Sequence, residues 1–112
     1  MTNEELNSAL YKKLFDEQKR YREVLLSLPP EEILNHAYEY AARDDILMSL
    51  EYHDLRDIQA KALLKSEHPL KDIFDRWENR ETDYMDDIWS TVETHAEETV
   101  RVETSKADRD TR

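Results

Sequence analysis

The chain has 112 residues and a formal net charge of -11, with no cysteine and no glycine. Cysteine's absence removes disulfides and thiolate metal sites, and glycine's removes the loops that cradle nucleotide phosphates. Charged residues reach 38% against a usual level of about 25%, and hydrophobic residues also stand at 38%, below the roughly 45–50% of globular chains, so one modest core is the most the chain can bury.

Thr2 followed by Glu5 is a capping-box pattern that opens a predicted first helix over about residues 3–27. Leu6, Leu10, Leu14, Tyr21, Val24, Leu25 and Leu28 hold its helical period. Lys12, Lys13, Lys19, Arg20 and Arg22 alternate with Asp16, Glu17 and Glu23 around the rest, which reads as a solvated face with local ion pairs. Leu28-Pro29-Pro30-Glu31-Glu32 then stops one helix and starts the next, since proline suits a first helical turn and acids suit the positive end of the helix dipole.

The second helix carries Ile33, Leu34, Ala37, Tyr38 and Ala41. At Arg43-Asp44-Asp45 the apolar phase shifts to Ile46, Leu47 and Leu50. Continuity, at most with a slight kink, is the expectation. Tyr52-His53-Asp54-Leu55 reads as a turn, and a short third helix over about 56–65 places Ile58, Ala62 and Leu63 together. A turn at Ser66-Glu67-His68-Pro69 leads into a long fourth helix over about 70–99. Its stripe is Leu70, Ile73, Phe74, Trp77, Tyr84, Ile88, Val92, His95 and Ala96, with Phe74 and Trp77 at the buried centre. From Arg101 on, the polar, non-periodic sequence reads as a frayed, disordered tail over 101–112, which leaves 1–100 as a single all-α domain of four or five helices. The long N-terminal and C-terminal helices are expected to pack lengthwise.

Charge is uneven along this plan. Residues 1–28 balance, 29–66 carry -4, 67–99 carry -8 and 100–112 carry +1. Between Glu81 and Val100 there is no lysine or arginine, but there are seven carboxylates: Glu81, Asp83, Asp86, Asp87, Glu93, Glu97 and Glu98. Exposed helices ordinarily mix signs to form pairs three or four residues apart. A one-signed face beside an apolar stripe fits either a solubilising surface or a surface for a basic partner. On the second reading the binding residues are Asp83, Asp86, Asp87, Glu93, Glu97 and Glu98, with Trp89 at the stripe's edge as an apolar anchor. Helical neighbours about 5–6 Å apart match the scale of phosphate spacing, so such a row imitates a nucleic-acid backbone.

Chemistry of other kinds finds little support. His36, His53, His68 and His95 lack the HExxH spacing, and no glutamate lies three residues before any histidine as in di-iron bundles. His95 reads as a core or boundary histidine. No serine sits in a glycine-flanked elbow. The expectations are therefore no enzyme, no cofactor and no metal, no direct nucleic-acid binding because the surface repels phosphates, and no membrane span. A short polar N-terminus without a signal peptide adds the expectation of a cytoplasmic protein, and a homodimer stays open.

The segments LPPEEILNHAYEYAARDDILMSLEYHDL, QAKALLKS and HPL resemble a family of short proteins from gut Firmicutes, classed as a domain of unknown function and associated with mobile elements. The resemblance covers roughly residues 4–100. It implies a setting in which plasmids, phages and integrative elements encode small acidic inhibitors of host defence nucleases, anti-CRISPR proteins among them. The partner it implies is a basic nucleic-acid-binding nuclease, with a type II CRISPR effector as the first expectation. A structural or adaptor module that offers an apolar groove to another helix is the alternative.

Overall fold

Thr2 lies in extended backbone (φ -71°, ψ 165°), and its hydroxyl accepts from the Glu5 amide at 3.1 Å, which starts α1 (Asn3–Leu26) where the capping pattern predicts. The computed structural model describes residues 1–79 and 84–110, with side chains of the last helix described to residue 107. After α1 come α2 (Pro30–Tyr52), α3 (Asp57–Lys65), α4 (Pro69–Asn79) and α5 (Tyr84–Asp110). Among the described residues there is no strand and no positive φ, so the glycine-free chain makes its connections with extended residues such as Pro29, His53, Arg56 and Ser66.

The residues form two compact units, Met1–Asn79 and Arg80–Arg112. In the first, α1 is the central element: α2, α3 and α4 all pack on it, and α2 also meets α4. Leu6, Leu10 and Leu14 recur every fourth residue and are buried together with Leu47 of α2, Ala60 of α3 and Leu70 of α4. Tyr11, Ile46, Leu50, Leu55, Leu63, Leu64 and Ile73 pack partly buried around this cluster. Ala60 is fully buried, and its single methyl lets the short α3 approach α1 closely.

Three expectations about burial are corrected. In α3, Ile58 is 71% exposed and Ala62 is exposed; the inward face is Ala60 with Leu63 and Leu64. In α2, Leu34 and Tyr38 are exposed, and the inward stripe is Tyr40, Arg43, Leu47 and Leu50. That stripe has one unbroken helical spacing, so α2 is continuous, and its phase shifts only on paper because a buried arginine occupies an apolar position. In α4, Leu70 and Phe74 are buried, but Trp77 is 42% exposed.

The long fourth helix of the sequence reading appears as α4 and α5, with residues 80–83 outside the described residues. Helix α5 continues past residue 100 to Asp110, through much of the segment expected as a tail. Every described side chain of α5 is exposed, His95 among them, in place of the core or boundary position expected for it.

Candidate partner-binding face

Helix α5 shows why the sequence gives two faces. Tyr84, Ile88, Val92 and Ala96 lie one turn apart, while Asp86, Asp87, Glu93, Glu97 and Glu98 fall on the remaining circumference. Asp86 and Asp87 also sit in the first turn, where the helix dipole favours negative charge. All five acids are exposed. From Tyr84 to Val100 no cation lies on the helix, and Arg101 approaches Glu97 only at 4.0 Å, with both side chains 75% exposed. Such a pair is worth about 0–1 kcal/mol, so it hardly neutralises the face.

Of the seven residues named from sequence, α5 therefore carries six, Asp86, Asp87, Trp89, Glu93, Glu97 and Glu98, and Asp83 lies outside the described residues. Trp89 is 62% exposed beside Met85, which is 70% exposed, and Ile88, which is 41% exposed. The depression lined by Ser90, Thr91, Thr94, His95 and Glu98 is an open groove along one helix, without the walls needed to desolvate a reacting group. Among the described residues no three of His, Asp and Glu are grouped as metal ligands.

A second polar constellation, unforeseen from sequence, lies inside the first unit. Glu17 of α1 is buried, and its two carboxylate oxygens accept from the Leu70 and Lys71 amides at 3.0 Å each, which caps the N-terminus of α4. One turn earlier, Lys13 donates to the Leu64 and Ser66 carbonyls at 2.7 and 2.5 Å, at the C-terminal end of α3. Each charge matches the helix end it meets. Asn7 exchanges a pair of hydrogen bonds with the Leu55 peptide, donating to its carbonyl at 3.0 Å and accepting from its amide at 2.9 Å. Lys13 and Glu17, assigned above to a solvated face, thus reach inward.

Further along α1, Gln18 donates to the Tyr40 carbonyl at 3.1 Å and to Asp44 at 2.9 Å. Arg43 is buried, pairs with Glu39 at 2.6 Å and places its guanidinium 4.0 Å over the Tyr21 ring. The Tyr21 hydroxyl lies 3.3 Å from His36 Nδ1. Burial, then the Glu39 charge and a hydrogen bond to it, push the Tyr21 phenol above its ordinary value, with Arg43 opposing. These groups are tied to one another and to backbone, which fits a positioning network between α1 and α2. A periodicity search misses them because it scores apolar residues; their signal was the polar interruption at Arg43-Asp44-Asp45.

A family model described as "Protein of unknown function (DUF3848)" matches residues 6–100. No curated protein matches the chain. No solved structure matches it either.

Proposed function

Since the chain belongs to the DUF3848 family, whose description names no activity, we propose from its surface that it is a non-enzymatic, cytoplasmic inhibitor that binds a basic protein surface through the acidic face of α5. The observation that carries this reading is the row of exposed acids, Asp86 to Glu98, on one helix without an intervening cation. The finer form of the proposal is a mobile-element anti-CRISPR protein that occupies the nucleic-acid channel of a type II CRISPR effector. Its support is the row in which Glu93 and Glu97 stand one turn apart and Asp86 two turns before Glu93, a spacing on the scale of backbone phosphates, together with the mobile-element resemblance of the central segments. Trp89 at the edge of the row supplies the apolar contact that charge alone lacks.

Affinity capture from the host followed by mass spectrometry identifies the partner. Reversal of Asp86, Asp87, Glu93 and Glu97 to Lys then abolishes binding while helicity is retained, because all four side chains face solvent. Binding of the unaltered chain weakens steeply with salt, since exposed charges are screened over a Debye length of about 8 Å at physiological ionic strength. Guide or target nucleic acid leaves the partner as the protein is added. The exposed Met85, Ile88 and Val92 favour a second reading, an adaptor that binds through apolar contacts. An adaptor keeps its affinity in high salt and tolerates the four reversals, and that result overturns the mimic.

A further inference from the structure

We propose that α5 pairs with α5 of a second copy as an antiparallel two-helix coil, which leaves both acidic faces outward. The first ground is spacing. Met85, Ile88, Val92, His95, Thr99 and Val102 alternate steps of three and four residues, the a/d repeat of a coiled-coil seam, and all are exposed. In the same repeat Asp86 and Glu93 take position b, Asp87 takes c and Glu97 takes f, the positions a pair of helices leaves to solvent. Of the flanking e and g positions, Trp89, Ala96, Tyr84 and Thr91 are uncharged, and the acids are Glu98 at g and Glu103 at e. A second copy therefore covers the seam with Asp86, Asp87, Glu93 and Glu97 left outward, and only Glu98 and Glu103 flank it.

The second ground is what the helix needs. Ile88, Thr91, Val92, Thr94, Thr99, Val100, Val102 and Thr104 give this 27-residue helix many β-branched side chains, which have lower helix propensity. Helices in proteins draw most of their stability from packing an amphipathic face. At about 1.5 Å per residue α5 is roughly 40 Å long. Seam and flank residues from two copies bury on the order of 1,400 Å² in total, within the roughly 1,200–2,000 Å² of stable interfaces.

Charge fixes the direction. In a parallel pair Glu98 at g faces Glu103 at e of the second copy, and Lys106 at a meets Lys106, so like charges are opposed. An antiparallel pair that sets Met85 level with Val102 and Val92 level with His95 removes both clashes. It brings Arg101 within one residue of level with Asp87 of the second copy, on the same side of the seam, and opposes the two helix dipoles favourably. The pairing does not rest on the identity of any nuclease: it is an association of the chain with itself.

Sedimentation equilibrium of the full chain tests it, with a dimer expected. Ile88→Asp with Val92→Asp places unpaired charges in the seam and weakens association by roughly a hundredfold or more. Circular dichroism and thermal unfolding of the first unit then show that its fold persists. Because the chain has no cysteine, single thiols report direction without interference. Under mild oxidation Met85→Cys crosslinks to Val102→Cys in a mixture of the two variants, and neither crosslinks efficiently to itself. A monomeric unaltered chain, a double variant that dimerises undiminished, or efficient self-crosslinking of Met85→Cys each overturns the proposal.

Discussion

Replacing Glu17 tests whether α1 holds the start of α4. The two bonds to the Leu70 and Lys71 amides are both 3.0 Å, and Leu70 is fully buried. Hydrogen bonds to a charged group contribute about 1.5–3 kcal/mol each. Glu17→Gln keeps one acceptor oxygen but turns an NH₂ toward the second amide and removes the charge from the helix N-terminus. The expected loss is about 2–4 kcal/mol, which combines one bond with the dipole interaction. For a unit of this size each kcal/mol shifts Tm by about 4–8 °C, so the variant melts roughly 8–30 °C lower. Glu17→Ala strands both amides and loses about 3–5 kcal/mol, close to the whole stability of a marginal domain, typically about 5–15 kcal/mol. Urea unfolding followed by far-UV circular dichroism measures the loss, and in a Trp89→Phe background the remaining Trp77 fluorescence reports on α4 itself. A Glu17→Gln variant within about 0.5 kcal/mol of the parent would place Glu17 among ordinary surface residues and refute the cap.

Leu10→Ala, at a fully buried position of the core cluster, is expected to cost about 2–5 kcal/mol by chemical denaturation. Trp77→Ala costs less, about 1–2 kcal/mol, because the ring is partly exposed and loses one hydrogen bond to Tyr38 with its packing. Arg43→Met alone leaves Glu39 without its partner and destabilises by about 3 kcal/mol, whereas adding Glu39→Gln restores much of that loss; equal stability of the single and double variants counts against the ion pair. The Tyr21 phenol binds its proton more tightly folded than unfolded, so stability falls as pH rises from the ordinary value of 10.0 through the raised one. Tyr21→Phe removes that part of the alkaline slope in a comparison of unfolding curves against pH, and an unchanged slope contradicts the assignment.

Helix number and type were legible because periodicity and capping are local. Thr2, Pro30 and Pro69 mark starts that the structure keeps, and Leu6, Leu10 and Leu14 follow the predicted stripe. Burial went astray where a polar residue took an inward position. Arg43 broke the apolar pattern of α2 without breaking the helix, and Lys13 and Glu17 resemble solvated residues in any count of charges. Their partners are carbonyls and amides more than fifty positions away, which a helical wheel does not contain. On α5, the exposed position of Asp86, Asp87, Glu93, Glu97 and Glu98 was legible because sign and spacing lie in one segment. The exposure of its apolar stripe was not, since an amphipathic pattern states that a face seeks cover without stating what provides it.

The polar stripe of α1 also bears on the order in which the molecule is made and assembled. Helices α3 and α4 meet at Ser66-Glu67-His68, where the Ser66 amide closes α3 locally on the Leu63 carbonyl, but the Leu64 and Ser66 carbonyls and the Leu70 and Lys71 amides find their partners only in Lys13 and Glu17 of α1. The missing bonds are supplied by α1, which precedes both helices in the chain. Lys13 and Glu17, one turn apart, form a template that a later segment satisfies only by seating both helix ends at once. Partial docking gains one set of bonds and leaves the other open, so assembly of the first unit is cooperative, and shifting α3–α4 by one turn along α1 would set carbonyls against the carboxylate or amides against the ammonium.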